Sequence, residues 1–278
     1  MRKLISANFH RFSKDRFSWC VVGIIVILSL VNVFNSARSF ETMAASGYIM
    51  SLDDYYFNQA PLIGAFLALM ISMFLGTEFS EGTIRNKLSI GHTRKEIFLS
   101  NFISCAFVSI VLTAVWLLIS ALLFGMIAAP LEMGVSGFIG CIFVAMGFAV
   151  SFAALDTVIG SLSSNKAMTI IYTFAVFIIF LVVASALNDR LCEPEMNEGM
   201  QLVDMQFVAM EPTPNPLYLS GTIRIVCELA LELLPPGQAL LLSDAAIEYP
   251  VRAIALSVVF TTMTLLVGGM LFKKKDIK

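Results

Sequence analysis

The sequence predicts an all-α polytopic membrane protein, a single domain of six transmembrane helices within 278 residues. Three observations carry that expectation. Charged residues are only 14% of the chain, where a soluble globular protein carries roughly a quarter. Hydrophobic residues reach 58%, and the mean hydropathy is +0.85. The few charges are also clustered, which leaves six long apolar windows, each able to supply the ~20 apolar residues that cross a bilayer as a helix. This composition excludes a nucleic-acid binder, a secreted disulfide domain and a disordered tail. Continuous apolar blocks, in place of alternating segments of ~10 residues, exclude a transmembrane β-barrel.

The elements follow in order. Residues 1–16 form an amphipathic lead with Leu4, Ile5, Phe9 and Phe12 towards one side and Lys3, His10, Arg11 and Lys14 largely on the other. Such a helix lies in the membrane interface with its cations near anionic lipid headgroups; alternatively, the lead is a solvated basic segment that only sets topology. Spans are predicted at 17–35, 58–77, 98–128, 136–158, 167–188 and 251–272. Read as a signal peptide, the first span has a long charged lead, and its loss leaves five spans with a basic tail outside. It is therefore expected to be retained.

No proline lies deep in an apolar window, so the spans read as unbroken helices, unlike the interrupted helices of many secondary transporters. Pro61 and Pro250 stand at span starts, where a missing N–H costs nothing. Six others crowd the hydrophilic segment 189–250 that ends at Pro250. Its middle, residues 223–234, is helical in pattern: Arg224, Glu228 and Glu232 form one stripe, the remainder is nearly all apolar, and Pro235–Pro236 end it. One narrow wet face and a covered remainder are expected there, packed on the spans, on a second copy or on the outer leaflet. Cys192 and Cys227 share this segment, and a disulfide between them is open. Cys20, Cys105 and Cys141 lie in apolar windows as small hydrophobes.

Charge sets the orientation. Fourteen of the eighteen Lys and Arg residues fall before span one, between spans two and three, between four and five, or after six. The positive-inside rule places these segments and both termini in the cytoplasm, as an even number of spans requires. Acidic residues mirror the pattern, with fourteen of twenty outside.

Several chemistries are missing. The two histidines, His10 and His92, both lie in basic segments, so no membrane-embedded Ser–His pair is available. There is no metal-spaced cluster, no H-E-x-x-H and no G-x-x-x-x-G-K-[ST] phosphate loop. No metal site, catalytic residue or cofactor is assigned to this chain, and no nucleic-acid partner. Asp156 is the one ionisable residue within a span, and it is expected to be interfacial, wet or paired with Lys166.

The segment 76–103 carries the most information. Thr93 with Glu96 is a capping box that starts the helix of span three. Upstream, 80–88 is helical in composition, and Gly91 ends it. The short helix is expected to expose Glu81, Arg85, Asn86 and Lys87 while Ile84 and Leu88 pack on the bundle.

Here the sequence resembles a known family. Glu78, Glu81, the string GTIRNKL at 82–88, Gly91, Arg94 and Ile97 are similar to the hallmark loop of type-2 ABC exporter permeases, and more closely to the bacterial bacitracin- and lantibiotic-exporter branch. The string IGHTR stands where that branch more commonly has a proline before its arginine. The resemblance implies a permease of the bacterial cell membrane without a nucleotide site of its own. It implies a coupling helix around 81–88 that docks on a separate ATPase subunit, which would bind ATP and Mg. Glu78, Glu81, Thr83, Arg85, Lys87, Gly91 and Arg94 are then the ATPase-coupling residues, and Arg224, Glu228 and Glu232 part of an extracellular gate. Implied partners are that ATPase, a second permease copy, identical or related, and membrane lipids. The implied cargo is hydrophobic or amphipathic, such as a peptide antibiotic. An ion-coupled secondary transporter and a non-transporting sensor or assembly subunit are the alternatives.

Overall fold

A computed structural model describes residues 1–47, 51–127, 130–197, 200–203, 206–209 and 212–276. It begins with α1 (Arg2–Lys14) and α2 (Arg16–Ala45), joined at Asp15, whose carboxylate caps α2 by accepting the backbone N–H groups of Phe17 and Ser18 at 3.4 and 3.0 Å. A short α3 (Asp53–Tyr56) leads into α4 (Ala60–Ser80), then come α5 (Thr83–Ser89) and α6 (Arg94–Ser120). They are followed by α7 (Leu123–Met126), α8 (Gly134–Leu162) and α9 (Lys166–Leu191). A small antiparallel arm pairs β1 (Met196–Asn197) with β4 (Thr213–Pro214) and β2 (Met200–Val203) with β3 (Gln206–Ala209). The chain then enters α10 (Gly221–Leu233), α11 (Pro235–Ser243) and α12 (Pro250–Lys274).

Among the described residues, six helices are long and apolar enough to span a membrane, and the protein is an all-α polytopic membrane protein. Two boundaries differ from expectation. α2 runs on past residue 35 to Ala45 because Arg38 and Glu41 do not break a helix once it has left the apolar layer; Gly47, with φ +80°, follows its end. The third span stops at Ser120, and the apolar residues beyond it turn into α7. The β arm was not predicted; Val203, Phe207 and Val208 are good strand formers in a stretch that reads as polar overall.

The core lies around α4, α6 and α8, where Leu67, Ile71, Trp116, Phe148 and Phe152 are at most 1% exposed. The α4 and α8 spans are 61% and 56% buried, against 17% for α9 and 11% for α12. So α4 and α8 are interior helices, and the other two present wide apolar faces. α12 stays bound to α8 through a close seam: a Cβ on Gly268 would lie 2.1 Å from Val158 Cγ2, so only glycine fits.

Candidate functional site

Local geometry fixes the turn between α4 and α6. α4 ends at Ser80 and Gly82 takes φ +66°, a left-handed conformation that only glycine adopts without strain. α5 is closed by Gly91 at φ +98°, with Gly91 N–H donating to Leu88 O at 3.0 Å and His92 N–H to Lys87 O at 3.2 Å. These two bonds make a Schellman end. The Thr93–Glu96 capping box then opens α6 as expected. Between the two glycines, α5 rests on an apolar cushion where Ile84 packs with Phe98 of α6 and Phe272 of α12.

Glu78 lies beneath this turn. Its side chain is fully buried and is held by residues of three other elements. Oε1 pairs with Arg11 of α1 and accepts from Lys87 Nζ of α5 at 2.5 Å; Oε2 accepts from Asn101 Nδ2 of α6 at 2.6 Å. Asn8 closes the ring, donating to Asn101 Oδ1 at 2.9 Å and accepting from Lys87 Nζ at 3.1 Å. Arg11 also donates to Thr77 Oγ1 at 3.1 Å and lies 4.5 Å from the Phe74 ring centre. A buried carboxylate needs counter-charge and filled lone pairs to exist at all. Here it finds both, and α1, α4, α5 and α6 are joined at one point.

Two more cations tie in α12 and α8. Arg94 donates to the carbonyls of Phe272 (3.2 Å) and Lys275 at the end of α12. Lys275 Nζ donates to Ser161 O and Ser163 O at the end of α8, at 3.0 and 2.6 Å, and sits 3.8 Å from the Phe79 ring centre. Both satisfy carbonyls that a helix C-terminus leaves unpaired.

Burial, and then the nearby Arg94, push the Lys275 amine down to about 8. In the unfolded chain a lysine titrates near ~10.4, so between those values the folded chain binds fewer protons. This group's contribution to stability therefore rises as pH goes from about 8 towards ~10, and below 8 the ammonium is held at a cost. Acylation of Lys275, followed by mass spectrometry across pH, is expected to show a midpoint close to 8; a midpoint above ~10 contradicts this.

The structure redistributes the predicted site residues. Glu81 and Arg85 are exposed, but Glu81 caps α4 and is not part of α5; Thr83 opens α5. Lys87, expected to be exposed, is buried on Glu78, whose carboxylate it helps to neutralise from α5. Arg11, read as part of the solvated face of the lead, also turns inward, and the buried face of α1 is Leu4, Asn8 and Phe12. Asn8, Arg11, Asn101 and Lys275 were missed. For Asn8 and Asn101 the signal was a polar residue inside an otherwise apolar stripe or window; Arg11 and Lys275 stand in basic segments and gave none. Asp156 is corrected as well: it is 1% exposed, inside the bundle and not at its interface, and is not paired with Lys166, because α8 is an interior helix.

At the other end, α10 meets α11 at 98°, with Pro235–Pro236 at the break. The polar stripe of α10 is not its wet face. Glu232 is buried, and its carboxylate accepts from Arg252 at 2.8 and 2.5 Å, while Arg224 and Glu228 pair at 3.2 Å. Ile223, Ile225 and Val226 are exposed by 54–64%. The charges turn inward because α12 offers Arg252 there; the apolar face turns outward. Cys192 and Cys227 are both free thiols. Cys192 lines the recess under α10 with Arg224 and Glu228, and Cys227, a residue away on the helix, does not.

The geometry defines a multi-pass membrane protein with a short polar helix between two of its spans, held on a buried carboxylate. Residues 21–202, well over half of the chain, match the family model of the ABC-2 family transporter protein, and the chain belongs to that family. No curated protein matches it.

Proposed function

We propose that the chain is the permease subunit of an ATP-binding-cassette exporter in a bacterial cell membrane, with the Glu78 end and both termini cytoplasmic. The observation that carries this reading is the buried Glu78 network. A permease without a nucleotide site needs a cytoplasmic lever that moves several spans as a unit, and α5 is fixed to three other helices through one carboxylate. The exposed Glu81 and Arg85, with Gly91 and Arg94 framing the turn, form the docking surface for a separate ATPase that binds ATP and Mg. Closure of the ATPase pair then rotates α4 and α6 as a rigid body.

Two permease copies, identical or related, enclose a route lined largely by apolar side chains, surrounded by lipid. Fifteen Met and twenty-three Phe suit hydrophobic or amphipathic cargo, a peptide antibiotic among them. The Arg224, Glu228 and Glu232 stripe with Arg252 forms an outer gate. Purification in mild detergent is expected to bring down an ATPase of roughly domain size, whose ATP hydrolysis rises with the exported compound. Repeated purification without any ATPase ends the reading. One observation favours a second: the buried, unpartnered Asp156 suits an ion-coupled transporter. That reading requires transport to survive loss of the ATPase and to follow an ion gradient.

A further inference from the structure

One stripe of α6 holds polar atoms that the protein itself does not satisfy. Among the described residues, ten buried side-chain polar atoms have no hydrogen-bond partner, and four of them belong to α6: Ser109 Oγ, Thr113 Oγ1, Trp116 Nε1 and Ser120 Oγ. With Cys105 they fall within an arc of about 80° on a helix of ~3.6 residues per turn. Asn101 stands one turn before Cys105 and donates to Glu78. Each of these six residues is at most 2% exposed. From Asn101 to Ser120 the helix rises ~28 Å, close to the ~30 Å of a bilayer's hydrocarbon core.

A second helix adds to the stripe. Asp156 Oδ2 of α8 is also buried and unpartnered, and Thr157 beside it is buried within hydrogen-bond reach of Cys105. Cys105 lies within electrostatic reach of both Asp156 and Glu78. The stripe therefore leads away from the Glu78 network and passes a carboxylate buried in the bundle.

A dry seam does not account for this arrangement. An unsatisfied buried donor or acceptor costs ~1–3 kcal/mol, and alanine or valine would avoid that cost at the same volume. Helical hydroxyls can instead donate to a carbonyl one turn back, as Ser100 and Ser104 do at 2.9 and 2.8 Å. Ser109, Thr113 and Ser120 do not. A buried polar space satisfied by water needs two to four polar partners per molecule, and hydroxyls and backbone spaced by one turn supply them.

We propose that this stripe binds a file of water molecules inside each single subunit, running from the Glu78 network towards Ser120 and hydrating Asp156. The site is separate from any route between two permeases and does not depend on the chain being an exporter. Two measurements on the full-length protein test it. Thr113→Val removes the hydroxyl at nearly constant shape. With bound water, its thermal midpoint in detergent falls by about 2–4 °C; in a dry seam, loss of an unsatisfied group raises it. In membranes, with the native cysteines replaced, silver ion should block Thr113→Cys against maleimide labelling at least tenfold faster than Ala145→Cys, a position at 0% exposure in the apolar core. A raised midpoint, or equal blocking at the two positions, overturns the proposal.

Discussion

Glu78→Ala is expected to destabilise the protein by ~3–5 kcal/mol, the cost of leaving buried charge without its counter-ion. Two cations converge on this side chain, and Lys87 is largely shielded from bulk solvent, being 8% exposed. Without Glu78 the Lys87 ammonium keeps only Asn8 as an acceptor, and the Asn101 amide loses its own. Denaturant titration in micelles measures the loss, and a change under ~1 kcal/mol sinks the argument. The double variant Glu78→Leu with Lys87→Met removes both charges together. It should recover at least ~1 kcal/mol relative to the sum of the two single variants, because residues in one network do not act additively.

Reversal of the exposed charges acts on the opposite property. Glu81→Lys and Arg85→Glu should change stability by no more than ~0.5 kcal/mol, as exposed surface positions do. Placing like charges across an interface costs several kcal/mol, and every ~1.4 kcal/mol is tenfold in affinity. ATPase binding, or coupling of hydrolysis to transport, should therefore fall by about tenfold or more in either variant while membrane insertion is unchanged. Co-purification together with transport assays reads the effect. Normal assembly and coupling after both reversals would remove α5 from the docking surface. The pair of predictions separates stability from coupling: buried Glu78 and Lys87 govern the first, exposed Glu81 and Arg85 the second.

Much of the fold was legible because the bilayer requires it. Six apolar windows, the Thr93–Glu96 box and Gly91 each have a local physical cause, and each lies where the spacing placed it. What was not legible depended on tertiary contact. Arg11 and Lys87 read as solvated because charge on an amphipathic helix usually is; their inward turn depends on Glu78, which lies 67 residues from Arg11 in sequence. The stripe of α10 misled for the same reason, since its direction follows from Arg252 on a later span. Asp156 looked interfacial by its distance from the span end. Only the packing of α8 between its neighbours shows it to be buried.

The order in which these contacts appear during synthesis has its own consequence. Every member of the Glu78 network, Asn8, Arg11, Glu78, Lys87 and Asn101, lies within the first 101 residues and is synthesised before α8, α9 and α12. Domains and their parts fold from the N-terminal side as the chain emerges. The network is therefore able to form ahead of α9 and α12, which are added to it as to a template. Arg94 and Lys275 join that template to the carbonyls of α12 and α8 only when the sixth span arrives. Assembly thus proceeds from the Glu78 network towards the later spans that Arg94 and Lys275 fasten to it.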